Sequence, residues 1–329
     1  MKRDISLDYG KGLAILFVYL GHSIIYHPIA LEDLYPWCDH IGRFIESFNM
    51  PMFFIISGFL FSMTRKTTKE LYRQKTMRLL IPYLSTMAVI VGIKMFLPMS
   101  MSFNKAVGGG YFSIISNALL YGGDRWFVYT LYIIFLMLIP LRTMLNNKRF
   151  VIVLIMMLVY IYFEVTMPKL FKLEAVFYYM TFFIFGFAVH EYYNSIKKWS
   201  LQFWYGPLGL FLVLNAVFAK WLFNEAPYLY RFLLPFTGSW ALMTIAFLMS
   251  TLNPTKKILR FINYCGVYSL QFYLFTFAYP FIRIVVVKTL HVTSPQHIIP
   301  SVFVLQLIFI VIIVEITRRI KWLKVPCGY

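Results

Sequence analysis

KGLAILFVYLGH, residues 11–22, sets an ionisable side chain at each end of a run that is otherwise almost wholly apolar. Extended to about residues 10–29, the run reaches the roughly 20 residues a helix needs to cross the hydrocarbon core of a bilayer. Eleven helical steps of about 100° return to within about 20° of their start, so Lys11 and His22 share one face, about 16 Å apart along the axis. Asp8, Ile15 and Tyr26 fall close to that face. Lys11 at a helix end has a plain reading, snorkelling to the interface and fixing orientation. His22 is harder to explain in this way, because an ionisable group at membrane depth usually faces a bundle interior or a wet cavity and marks a functional path. A buried imidazole satisfied by a neighbouring hydroxyl is the alternative.

The rest of the chain repeats the membrane signal. Of 329 residues, 60% are hydrophobic and only 13% charged, against about half apolar and a quarter charged in soluble domains. A soluble fold of this composition would expose large apolar patches. The expected fold is an all-α, polytopic integral membrane protein of about ten transmembrane helices, a single domain over residues 1–329 with no soluble domain. The spans fall at about 10–29, 44–63, 78–97, 126–145, 150–166, 175–193, 203–222, 232–251, 266–287 and 299–319. The longest non-spanning stretch, about 98–125, reads as an ordered outer loop or a short re-entrant segment.

Charge supports the layout. With both termini in the cytoplasm, roughly two thirds of the Lys and Arg residues fall at cytoplasmic ends, as the positive-inside rule requires. The excess of 31 basic over 13 acidic residues therefore reads as topology, and nothing in it resembles a nucleic-acid module. The three cysteines stand far apart and suggest neither disulfide framework nor metal cluster. The remaining histidines make no metal-ligand set, so no metal is expected. Lys2 and Arg3 before an apolar run superficially resemble a signal peptide, but no small-residue cleavage site follows, and an uncleaved first span is expected.

Lys11 and His22 together suggest a chemistry. A cation at the cytoplasmic mouth suits the phosphates of a long cofactor such as coenzyme A. A histidine further along, with its near-neutral reference pKa, suits a general base. Lys75 and Arg78, three apart in KTMRLLIPYL (75–84), are a topology signal or a second phosphate anchor at the same membrane level. In SFNMPMFFIISGFLFSM (47–63), Pro51 frees a carbonyl and Ser57-Gly58 offers a small surface for close helix approach. Asn49 and Ser57 add polar groups beside His22. GGDRWFVYTLY (122–132) brings Asp124, Arg125 and Trp126 to an outer helix end, where the indole is a belt aromatic or a stacking surface for a sugar. FFIFGF (182–187) reads as packing around Gly186.

These segments, in this order, resemble the membrane-bound acyltransferase-3 family, which includes fucose 4-O-acetylase-like and polysaccharide O-acetyltransferases. LDYGKGLAILFVYLGH resembles its first-helix signature, with Lys11 where most members have arginine. MPMFFIISGFL, RLLIPYL, DRWFVYTL and GVYSLQFYLF (266–275) resemble later motifs. The resemblance covers nearly the whole chain and implies transfer of an acetyl group from cytoplasmic acetyl-CoA to a sugar hydroxyl of a surface glycan or lipid-linked precursor. It implies His22 as the catalytic residue, here expected to act as general base, with Lys11, Lys75 and Arg78 on the donor side; Asp8 is a further donor-side candidate, and Asn49, Ser57, Asp124, Trp126 and Tyr273 are the acceptor-side candidates. The expected partners are a carbohydrate acceptor and membrane lipids, with a homodimer left open. The expected location is the inner or plasma membrane. Thr276 stands where members often carry a histidine, so no catalysis is assigned there. The rival class is a secondary transporter with His22 in proton coupling, but duplicated halves and matched broken helices are not evident. A non-catalytic scaffold would leave the order of motifs unexplained.

Overall fold

The computed structural model describes residues 4–25, 31, 35–96, 110–168, 170–218, 230–289, 291 and 294–329, and every regular element among them is helical. In chain order the helices are α1 (Ile5–Ile25), α2 (Pro36–Ser62), α3 (Thr68–Lys75), α4 (Ile81–Phe96), α5 (Gly110–Tyr121), α6 (Trp126–Leu138), α7 (Lys148–Glu164) and α8 (Leu173–Val189). There follow α9 (Tyr193–Gln202), α10 (Tyr205–Phe218), α11 (Tyr230–Thr251), α12 (Lys257–Val267), α13 (Ser269–Leu274), α14 (Tyr279–Ile284) and α15 (Pro295–Arg319). The all-α, multi-pass reading holds.

Among the described residues, six helical stretches are long and apolar enough to cross a membrane, fewer than the ten expected: Pro36–Ser62, Thr68–Ile93, Leu170–Gln202, Tyr230–Thr251, Ser269–Thr289 and Pro295–Arg319. The other four expected spans correspond to α1, which carries Asp8 and Lys11, and to α6, α7 and α10, whose described lengths are 13, 17 and 14 residues. Part of the expected outer loop, residues 97–109, lies outside the described residues, as does His27. The part that follows is the 12-residue helix α5.

Local chemistry sets several helix ends. Thr67 and Glu70 form a reciprocal capping box at the start of α3. The Asn147 side chain accepts from the N–H groups of Arg149 and Phe150 at the start of α7. Between α5 and α6 the chain turns through Gly122 and Gly123, both at positive φ (75° and 46°), a backbone that glycine adopts without steric cost.

The chain forms two compact units. The first comprises Met1–Met63, Phe182–Ser269 and Pro295–Phe303, and the second Thr64–Thr181, Leu270–Ser294 and Val304–Tyr329.

In the first unit α1 packs against α2, α11 and α12. Its contact with α12 is backbone to backbone. A Cβ on Gly12 would stand 2.1 Å from the Ile262 carbonyl oxygen, and one on Gly266 would stand 1.8 Å from that of Asp8. The pairing runs in opposite order along the two helices, so they cross antiparallel with only hydrogens between them. α2 and the Phe182–Val189 part of α8 repeat the device: Gly58 meets the Phe183 carbonyl at 1.8 Å and Gly186 that of Ile55 at 2.0 Å. The small surface expected at Ser57-Gly58 and the packing expected around Gly186 are two sides of one contact. Tyr9, Ala246, Leu259 and Ile262 fill the core beside α1.

In the second unit α6 packs against α3 and against a single π turn, Thr76–Leu80, that joins α3 to α4. The short turn Leu170–Lys172 docks against α5 and α6.

Candidate active site

In the first unit the acidic and basic members of the α1 face meet. Lys11 Nζ lies 2.8 Å from Asp8 Oδ1, with Asp8 nearly enclosed. Asp8 is held there because its backbone is pressed against Gly266. Lys11 therefore presents a cation already half-balanced by a buried carboxylate.

His22 is half-buried near the other end of α1. Its Nδ1 lies 2.6 Å from the Val18 carbonyl oxygen, one turn back. A carbonyl only accepts, so Nδ1 carries the proton and Nε2 keeps the lone pair in the neutral ring. In this tautomer a proton taken up by the ring goes to Nε2. Ser23 beside it donates to the Tyr19 carbonyl. Asn49 and Ser57 lie on α2, which packs along α1. Asn49 is buried, with its side-chain oxygen accepting from the Met50 N–H at 2.6 Å, and Ser57 is half-buried.

A network that the sequence reading passed over sits at the start of α1. Asp4 Oδ1 accepts from the Ser6 N–H at 2.9 Å and from its hydroxyl at 2.5 Å. Oδ2 accepts from the Tyr193 hydroxyl at 2.7 Å, and Lys197 Nζ stands 3.6 Å away. Burial pushes the Asp4 carboxyl up, but the hydrogen bonds from Ser6 and Tyr193, together with the charge of Lys197, outweigh it and hold the carboxyl below its ordinary value. The local signal was the Asp-x-Ser pattern before an apolar run, a helix start by its chemistry.

In the second unit Lys75 and Arg78 part company. Lys75 lays its ammonium 3.7 Å over the Phe135 ring, whereas Arg78 is exposed. The π turn that begins at Thr76 replaces α-helical spacing between them.

Around the start of α6, Arg125 is buried and its Nε donates to the Leu274 carbonyl at 3.0 Å. That carbonyl lies where the Ser269–Thr289 stretch breaks: α13 stops at Leu274, a 3-10 turn covers Thr276–Ala278, and α14 starts at Tyr279. The arginine thus satisfies backbone that the break releases. Tyr273, also buried, accepts the Phe127 N–H through its hydroxyl at 3.1 Å. Thr276 donates to the Tyr273 carbonyl within the turn, a structural task in place of the missing histidine. Asp124 is exposed. Trp126 is half-buried, its indole 5.3 Å from the Tyr179 ring. Arg283 is fully buried.

Of the ten residues singled out from sequence, Asp8, Lys11, His22, Asn49 and Ser57 belong to the first unit, and Lys75, Arg78, Asp124, Trp126 and Tyr273 to the second. A family model described as an acyltransferase domain matches residues 4–316. The chain belongs to this acyltransferase family. It is 29% identical over 143 residues to the nodulation protein NolL of Mesorhizobium japonicum, covering 43% of this chain and 36% of that protein. It is 35% identical over 95 residues to the NolL of Sinorhizobium fredii, covering 28% of this chain and 26% of that one. The matches thus span about a third and a quarter of these relatives' lengths. No solved structure matches the chain. The matched range of the acyltransferase family contains all ten candidate site residues.

Proposed function

We propose that the chain is an integral-membrane O-acyltransferase that moves an acetyl group from cytoplasmic acetyl-CoA to a sugar hydroxyl of a surface glycan or lipid-linked precursor. The observation that carries this reading is the His22 ring, held by the Val18 carbonyl in the tautomer whose Nε2 accepts a proton; family membership supports it. Nε2 takes the proton of the sugar hydroxyl as its oxygen attacks the thioester carbonyl. The carbon–sulfur bond then breaks, the coenzyme A sulfur leaves and receives the proton from His22, and the acetyl ester remains on the sugar. General-base help of this kind is worth about 10²–10⁴-fold. In the first unit, Lys11 is the candidate contact for the donor's phosphates. Asp8 tempers Lys11 so that the site is not a permanent trap for anions. The protein lies in the inner or plasma membrane with both termini cytoplasmic.

Labelled acetyl-CoA and glycan acceptors, offered to the purified protein in lipid nanodiscs, test the proposal. His22→Ala should lower acetyl transfer by about 10²-fold or more while thermal unfolding stays unchanged. Near wild-type transfer by that variant would remove the histidine from the mechanism, and proton-driven solute flux without transfer would favour a transporter.

A further inference from the structure

The turn Leu170–Lys172 is the most unusual backbone among the described residues. Phe171 and Lys172 are consecutive non-glycine residues at positive φ, 56° and 49°, a conformation that L side chains with a Cβ occupy at a cost. Such strain persists only where the surroundings impose it, and it collects at binding sites. Here the surroundings are α5 and α6, against which the turn docks, and the outcome is one placement: the Lys172 ammonium lies 5.5 Å from the centre of the Trp126 indole. Both side chains are half-buried. The nearest acid acting on Lys172 is Glu174, itself exposed.

Trp126 also begins a row of rings. Tyr179 stands 5.3 Å from it, Tyr178 lies 4.9 Å from Tyr179, and Tyr162 lies 4.9 Å from Tyr178. Three of the four carry a phenol hydroxyl beside an apolar face, a combination that suits the alternating C–H and hydroxyl surfaces of a sugar chain. A tryptophan serving only as a membrane-interface anchor needs neither a cation at its face nor a strained turn to put one there.

We propose that Trp126 and Lys172 form the seat of an acidic sugar unit in the acceptor. The indole takes the C–H face of the pyranose ring, and the ammonium pairs with a carboxylate or phosphate on that unit. The acid group draws Lys172 from the indole, its present partner, and the sugar ring takes the vacated face. The inference rests on the reading of the chain as a sugar acyltransferase and names the acceptor's chemical class.

The test uses the full chain in nanodiscs and three matched oligosaccharides: one bearing a uronic acid, its carboxyl-reduced neutral form, and a phosphate-bearing form. Calorimetry should show an acidic form binding about tenfold or more tighter than the neutral one, the scale of a hydrogen bond to a charged group. Whether carboxylate or phosphate binds better identifies the acid. Lys172→Gln should erase that preference, Lys172→Arg should retain it, and Trp126→Ala should weaken all forms. Equal binding of acidic and neutral forms, an acid preference surviving in Lys172→Gln, or no binding of any form would overturn the proposal. Acetyl transfer from labelled acetyl-CoA, measured on the same preparations, separates the two ideas. Transfer without acid preference sinks only the seat, and acid preference without transfer sinks only the acyltransferase reading.

Discussion

The two units solve the problem of helix association in lipid by opposite means. In the first, helices touch through their backbones, at Gly12 and Gly266 and again at Gly58 and Gly186. In the second, polar side chains reach from one segment to the backbone of another: Arg125 to the Leu274 carbonyl, Tyr273 to the Phe127 N–H, and Tyr83 to the Ala118 carbonyl. Lipid tails offer no hydrophobic drive to bring helices together, so close packing and interhelical hydrogen bonds must serve. The glycine contacts leave no rotamer freedom at the crossing. The hydrogen-bonded contacts tolerate broken helices, which the second unit has at Phe275–Ala278 and at the π turns.

The comparison breaks first at the glycines. Gly12→Leu or Gly266→Leu places carbon where a carbonyl oxygen now sits, and both backbone partners are rigid, so the cost should be about 3 kcal/mol or more. Gly92, in the second unit, has nothing within 4 Å of its would-be Cβ, and Gly92→Leu should leave the melting temperature of the nanodisc-embedded protein nearly unchanged. If the three variants melted together, glycine contact would not be what holds α1 to α12.

A smaller effect should distinguish the second unit. Arg125→Met removes the donor to a buried carbonyl and should cost about 1–3 kcal/mol, the penalty for an unsatisfied buried polar group. Tyr273→Phe leaves the Phe127 N–H without its phenol oxygen at the first turn of α6, and should cost about 1 kcal/mol. Chemical denaturation of the embedded variants measures both. Hydrogen exchange at Phe127 adds a local reading, which should quicken in Tyr273→Phe even where global stability moves little.

What could be read beforehand follows the same division. The membrane class and the small surfaces at Ser57-Gly58 and Gly186 were legible because apolar length and small residues are local properties of the chain, whereas the Gly12 and Gly266 contacts of α1 with α12 join distant segments and were not. The Asp8, Lys11 and His22 face was legible because helical periodicity alone places side chains. The burial of Arg125 was not, since its partner lies far along the sequence: it faces Leu274, 149 positions away. The split of Lys75 from Arg78 was hidden because no spacing in KTMRLLIPYL announces a π turn. Lys172 escaped notice for the same reason, since positive φ at a lysine follows from docking on α5 and α6 and not from residue type.

The smallest effect sharpens the picture of the first unit at its edge. Asp4 ties the start of α1 to Tyr193 and Lys197, and its carboxyl titrates below the ordinary value in the folded chain. A group whose folded pKa is depressed contributes stability above its unfolded pKa and loses it as pH falls through the folded one. Wild type and Asp4→Asn should therefore differ by a constant margin above about pH 5, with the margin closing as the pH drops below about 4, the reference value for aspartate. Because the carboxylate is partly exposed, salt should narrow the margin as well. A margin that stayed constant down to pH 2 would mean that Asp4 acts through hydrogen-bond geometry alone, and that Lys197 contributes no charge to holding the first helix in place.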